Sequence, residues 1–296
     1  MTIEIITASR LAEKIIRFVR MSSDNSLHNE SGEPAWGAPL VGFARGDDQL
    51  FAHLKTDIGP FYWTPEDIFQ LTFPDLQVSA ADLAVVCWIL PQTAATKEEH
   101  RQATSLPAER WSRSRLYGEQ FNDLLRRQVV LWLQESVISA IAPLHAPQWQ
   151  WQRSPRYGLA SNWSERHAAH VAGLGTFGLS DGLITPVGKA MRCGSVVALL
   201  PVEPATRPYA SHVDYCLYYT KGTCGACIDR CPAGAISKNG HDKERCLAYI
   251  KETTAPYAEN QLGEPVSSCG LCQVKIPCES KIPAASGQTP FVRSQP

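Results

Sequence analysis

Several things are missing from this sequence, and each absence narrows its class. No window approaches the ~20 apolar residues of a membrane span. Lys and Arg number 28 against 29 Asp and Glu, a formal net charge of −1, and no long basic run occurs, so electrostatics gives no argument for a nucleic-acid partner. No secretion signal is visible, because Glu4 and Arg10 interrupt the only early apolar stretch. The 10 cysteines among 296 residues are far too sparse for a disulfide scaffold. There is no internal repeat outside the cysteine region and no low-complexity tract. The apolar fraction of 44% suffices for a sizeable core in one large domain or two ordinary ones. A soluble chain in a reducing cytoplasm is the expectation.

The few cysteines are not spread evenly. Eight of the ten fall between Cys216 and Cys278. Cys224-Gly-Ala-Cys227-Ile-Asp-Arg-Cys231-Pro232 resembles the end of the bacterial ferredoxin run, C-x2-C-x3-C-P, in which thiolates wrap an iron–sulfur cubane and the fourth cysteine ligates the other of two clusters. Lys221 occupies the usual first position, and Cys216 is the nearest substitute. The second group is dispersed: Cys246, then Cys269-Gly-Leu-Cys272, then Cys278. The cross-over rule assigns Cys216, Cys224, Cys227 and Cys278 to one [4Fe–4S] cluster and Cys231, Cys246, Cys269 and Cys272 to the other, with none spare. The alternative is structural zinc on the two C-x2-C pairs. The 41 residues between those pairs exceed the usual zinc spacing of about 15–20, and zinc would leave four cysteines unexplained. Cys87 and Cys193, in apolar strand-like settings, read as buried inert thiols.

The rest of the chain reads as α/β. A helix is expected over 9–20, with Ser9 as its cap. A strand lies within 39–48, and Thr64-Pro65-Glu66-Asp67 opens another helix. Ala84–Leu90 suits a strand buried on both faces. Residues 116–141 have a helical pattern with Phe121, Leu124, Leu125, Leu131 and Trp132 facing the core, and 193–200 form a further strand. Prolines 201, 204 and 208 make a linker. The expected organisation is an α/β domain over 1–205, a small α+β bacterial-ferredoxin-like 2[4Fe–4S] domain over 211–283, and a tail over 284–296.

Gly173-Leu-Gly175-Thr-Phe-Gly178 contains G-x-G-x-x-G, but a helical pattern precedes it and a strand with a turn follows. That is the wrong context for a dinucleotide site, and a helix-ending turn with Gly173 or Gly175 in the left-handed cap accounts for it. The order Ala-Gly-Leu-Gly175, Gly178, Leu183-Ile-Thr-Pro186-x-Gly188, a Val-rich strand and then the Cys-Pro module resembles two related families, the epoxyqueuosine reductases and the corrinoid reductive dehalogenases. The likeness covers about residues 165–280. It implies a nitroreductase-like α/β sandwich holding a corrinoid, with Gly173, Gly175 and Gly178 bordering the cofactor and two [4Fe–4S] clusters delivering electrons from a ferredoxin or flavodoxin. It also implies departures. Residues 156–162 carry no acid where the epoxyqueuosine enzymes have their catalytic aspartate. The C-terminal helical-repeat domain that helps those enzymes grip tRNA is lacking, so tRNA is not the expected partner, and the twin-arginine signal usual in dehalogenases is absent. His167, His170 and Tyr157 are the candidate proton donors. The expected activity is that of an iron–sulfur, cobalamin-type reductase. The alternative is a non-catalytic electron carrier or cluster-bearing subunit.

Overall fold

The computed structural model describes residues 6–284. Apart from Ala284, the expected tail lies outside the described residues. The chain divides into two compact units that interleave along the sequence: residues 1–93, 113–174 and 192–208 form the first, and 94–112, 175–191 and 209–296 the second.

Helix α1 (Ala8–Met21) turns Leu11, Ile15 and Val19 into the first unit's core. Its N-cap is Thr7, whose hydroxyl accepts from the Arg10 N–H, so Ser9 lies inside the helix instead of capping it. Strand β1 (Leu40–Arg45) leads to α2 (Gln49–Ile58) and α3 (Pro65–Thr72). In α3 the proline and early acids do what the sequence suggests: Thr64 and Asp67 form a reciprocal capping box. Strand β2 (Ala84–Pro91) is buried along its whole length. After α4 (Ala94–Gln102) comes the long α5 (Glu109–Glu135). This helix ends before residue 141, because Ala140–Ile141 form the short strand β3. From Phe121 on, its buried apolar residues, Phe121, Leu125, Val129 and Leu133, follow an i, i+4 line. Leu131 falls off that line and is exposed, correcting its assignment to the core face.

The hairpin of β4 (Trp151–Ser154) and β5 (Gly158–Ser161) precedes α6 (Glu165–Val171). Gly173, at φ +80°, closes α6 in the left-handed region. Then come β6 (Thr176–Phe177), β7 (Leu183–Ile184) and β8 (Met191–Ala198). The first unit's sheet has the order β1-β2-β8-β3. Trp88 on β2 packs over Gly194 of β8, where a Cβ would lie 2.2 Å from the indole.

The second unit holds α4, the β6–β7 hairpin, and the cysteine segment with α7 (Leu217–Lys221), α8 (Ala226–Asp229), the hairpin of β9 (Ile236–Ser237) and β10 (Gly240–His241), α9 (Lys243–Tyr249) and α10 (Ala255–Leu262). A π-helical turn, Ile250–Thr254, joins the last two helices. Residues 94–112 brace this unit. Arg230 donates to the Ala103 carbonyl at 2.9 Å, Ser112 and Ser268 share a 3.1 Å hydroxyl contact, and the indole of Trp111 lies where a Cβ on Gly270 would be.

Candidate metal centre

Within the second unit Cys216, Cys224, Cys227 and Cys278 line one recess of about 370 Å³, part of it open to solvent. Local structure explains how they meet. Cys216 occupies the N-cap of α7, Cys224 precedes the Gly225 cap of α8, and Cys227 lies in α8. Cys278 arrives from the far end of the chain and is held by backbone. The Lys189 N–H donates to the Cys278 carbonyl at 2.8 Å, and Gly188 (φ +88°) sits so close to Glu279 that a Cβ would lie 2.1 Å from its carbonyl oxygen. Only glycine permits that approach. Glu279 is almost fully buried. Arg101 grips its carboxylate through Nε (3.0 and 3.2 Å) and Nη2 (2.5 Å), and the Lys275 N–H and Ser280 hydroxyl also donate to it. Burial alone would raise this carboxyl, but these donors, Arg101 foremost, hold it below the usual carboxylate range. The other walls are mainly apolar: Leu179, Ile184, Ile276 and Pro277.

The remaining four cysteines form a second electrostatic group. Burial pushes the Cys246 thiol up to about 12, reinforced by Cys272, Cys269 and Cys231. Burial likewise raises Cys272 to about 11 and Cys278 to about 11, and lifts Cys227 and Cys269. The neighbours acting on Cys278 are Cys227, Cys216 and Cys224. Cys272 also acts on Cys227, and Cys216, Cys227, Cys231, Cys272 and Cys278 pack in one cluster. Among the described residues no three His, Cys, Asp or Glu side chains converge as ligands of a single ion.

The other expected site residues are dispersed. Gly178 lines the recess, and a Cβ there would lie 3.7 Å from Cys216 Sγ. The space beside Gly173 is taken by the Thr206 carbonyl, at 2.7 Å from a Cβ, and that beside Gly175 by the Ile184 carbonyl, at 2.3 Å. His167 bonds the Ser164 hydroxyl at 2.8 Å and meets Tyr62 edge-on. His170 is buried. The Tyr157 hydroxyl donates to Asp57 Oδ2 at 2.5 Å, and Arg156 also pairs with Asp57. Cys87 and Cys193 are both buried in the first unit. Burial pushes Cys193 up to about 12 and raises Cys87 well above its ordinary range. Sequence reasoning missed Lys189, which lines the recess while almost fully buried. Its only signal was a charged residue directly after the Thr185-Pro-Val-Gly188 turn.

Fold and site together define a mixed α/β protein carrying a cysteine-lined centre, and no helix among the described residues is long and apolar enough to cross a membrane. No family model matches the chain. It is 30% identical over 119 residues to an epoxyqueuosine reductase of Bacillus anthracis, covering 38% of this chain and 29% of that protein. To the epoxyqueuosine reductase of Leadbetterella byssophila it is 31% identical over 117 residues, 38% of this chain and 36% of that protein. A catabolic reductive dehalogenase, solved in complex with 3-bromo-4-hydroxybenzoic acid, matches with a TM-score of 0.50 at 16% identity, covering 93% of this chain and 37% of that one. The chain is a relative of the epoxyqueuosine reductases and shares the fold of the corrinoid reductive dehalogenases. Its matched part spans about a third of the curated relatives' length.

Proposed function

We propose that this chain is an iron–sulfur reductase. Two [4Fe–4S] clusters, one on Cys216, Cys224, Cys227 and Cys278 and one on Cys231, Cys246, Cys269 and Cys272, relay single electrons from a ferredoxin or flavodoxin. The acceptor is a cofactor or substrate held by the α/β part of the chain. The observation that carries this reading is the gathering of Cys278 with Cys216, Cys224 and Cys227 around one largely apolar recess. A ferredoxin-like module requires that pairing, and a zinc site on the two C-x2-C pairs does not. The residues fit the group: eight thiols in the second unit, four of them around a recess whose walls are mainly apolar. When bound, such clusters supply one-electron transfer at potentials set by burial and nearby charge. The chain's own contribution is to ligate, to exclude water and to fix the charges around the sulfurs.

A corrinoid acceptor follows from the likeness to the corrinoid families. The close backbone contacts at Gly173 and Gly175 offer it no open cradle. The named relatives act on epoxyqueuosine; the absence of an acid over 156–162 favours a different substrate for this chain.

The test is an inventory of iron, sulfide, zinc, cobalt and flavin in protein prepared without oxygen. About eight iron and eight sulfide per chain are expected. Iron near four would mean that one ligand set is wrong, and zinc without sulfide would end the reading. Full iron with neither cobalt nor flavin would favour an electron carrier. Cys216→Ala should lower iron by about half.

A further inference from the structure

Lys189 is only 2% exposed. Its Nζ donates to Ser180 Oγ at 2.7 Å, and no carboxylate among the described residues pairs with it. The fold makes room for it deliberately. Its stem lies across Gly182, where a Cβ would come within 2.6 Å of Lys189 Cδ. Its backbone N–H holds the Cys278 carbonyl, so the side chain is tied in position to one of the four cysteines whose recess it lines. An ammonium buried without an anion is among the costliest groups a fold can hold. Neutral thiols do not offset that cost, but thiolates around a cubane do.

We propose that Lys189 is the counter-ion of the cluster on Cys216, Cys224, Cys227 and Cys278 and that its charge raises that cluster's reduction potential. This rests on the two-cluster reading above. On reduction one electron enters the cubane from the ferredoxin- or flavodoxin-class donor. No bond forms or breaks at the lysine and no proton moves. With its four thiolates, the cluster passes from a dianion to a trianion, and a fixed cation favours the trianion more. Lys189 is thus a positioning residue for charge and takes no part in bond chemistry.

The experiment compares wild type, Lys189→Gln, Lys189→Arg and Ser180→Ala as anaerobically prepared whole protein, by iron and sulfide content and by redox titration followed by electron paramagnetic resonance. Lys189→Gln is expected to keep its iron and to make one-electron reduction of the first cluster about tenfold less favourable, a potential about 59 mV lower. Lys189→Arg should stay within about threefold of wild type, and Ser180→Ala should fall between. Full iron with an unchanged potential in Lys189→Gln overturns the proposal. If that variant loses iron, Lys189→Arg decides: iron retained supports the need for charge, and iron lost there too overturns it. A wild-type protein short of iron and sulfide would bring down the two-cluster reading itself, and the inventory tells that failure apart from this one.

Discussion

The two units solve the same problem, holding a buried interior together, with different materials. In the first, the interior is hydrocarbon and indole: Leu11, Ile15, Val86, Trp88, Phe121, Leu125 and Val196 pack against the sheet. In the second, the largest cluster around the cysteines buries only Leu179, Ile184 and Ile236 beside Cys216 and Cys227, with Cys231, Cys272 and Cys278 packed against it. Transfer of apolar area can stabilise the first by itself, at roughly 25 cal/mol per Å². Around the cysteines the second buries fewer such side chains, and the proposed clusters would supply the cohesion there.

The largest expected effect follows from that difference. Protein produced without iron, or stripped of it by chelation, should lose ordered structure in the second unit and keep the first. Hydrogen exchange read by segment checks this: protection should vanish across 216–278 and persist in β2. Tryptophan emission should change little, since seven of the eight tryptophans lie in the first unit. Persistent protection across the cysteine segment in iron-free protein would erase the distinction between the units.

A glycine–tryptophan contact in each unit sharpens the comparison. A Cβ on Gly194 would lie 2.2 Å from Trp88, and one on Gly270 would lie 2.1 Å from Trp111, where φ of +72° adds backbone strain. Either alanine should cost about 3 kcal/mol through overpacking. Their signatures should differ. Gly194→Ala lowers the denaturation midpoint at unchanged iron. Gly270→Ala displaces the turn between Cys269 and Cys272 and lowers iron by about half. Equal iron in both variants would mean that the Trp111 contact does not position the ligands.

Much of this was legible because it is local. Thr64-Pro65-Glu66-Asp67 is a helix start wherever it occurs, the apolar run ending at Pro91 can only be a buried strand, and Gly173 caps the helix before it. The concentration of eight cysteines in 216–278 is likewise visible in the sequence alone. What stayed hidden depends on distant contacts. Arg101 and Glu279 are 178 positions apart and neither is unusual in its own neighbourhood. Nothing in residues 94–112 announces that they pack with the cysteine segment. Leu131 was misplaced because helical periodicity alone does not say which of two adjacent apolar lines faces the core. Lys189 went unnoticed because a lone lysine after a turn ordinarily points to water, and only burial marks it out.

The first unit's own charges give the next effect. Arg126 is buried and bonds Glu165 (2.6 and 2.9 Å), Asp123 (2.6 Å) and Glu119 (3.3 Å), while Arg192 reaches Glu119 at 2.5 Å. Burial would raise the Glu119 carboxyl, but Arg192, Arg126 and Arg115 outweigh it and bring it to about 2, from 4.5 in the unfolded chain. The folded state therefore binds the proton less readily than the unfolded one. The stability this confers is full above pH 4.5 and is lost as pH falls toward about 2. It amounts to about 3 kcal/mol. Glu119→Gln should remove it at neutral pH and flatten the acid limb of a denaturation curve followed by tryptophan emission. A variant with the wild-type acid limb would show that the arginines are neutralised elsewhere.

The smallest effect is the one that bears on chemistry. Tyr157 is a candidate proton donor, yet its hydroxyl is already committed to Asp57 Oδ2 at 2.5 Å on the hairpin that runs through 151–161. A phenol donating to a carboxylate at the surface contributes about 1 kcal/mol, and Tyr157 is 39% exposed. Tyr157→Phe should therefore lower stability by that amount or less, with iron unchanged. Asp57→Asn should do the same, because it weakens the same bond from the other side, and it also releases Arg156. If the hydroxyl serves only to pin the hairpin, the two variants have matching effects on stability and on turnover. A donor role predicts a split: Tyr157→Phe stops turnover while Asp57→Asn, which frees the hydroxyl, retains it. With reduced protein and a chemical electron source, that pair of rates decides whether the hairpin carries the proton or only holds its shape.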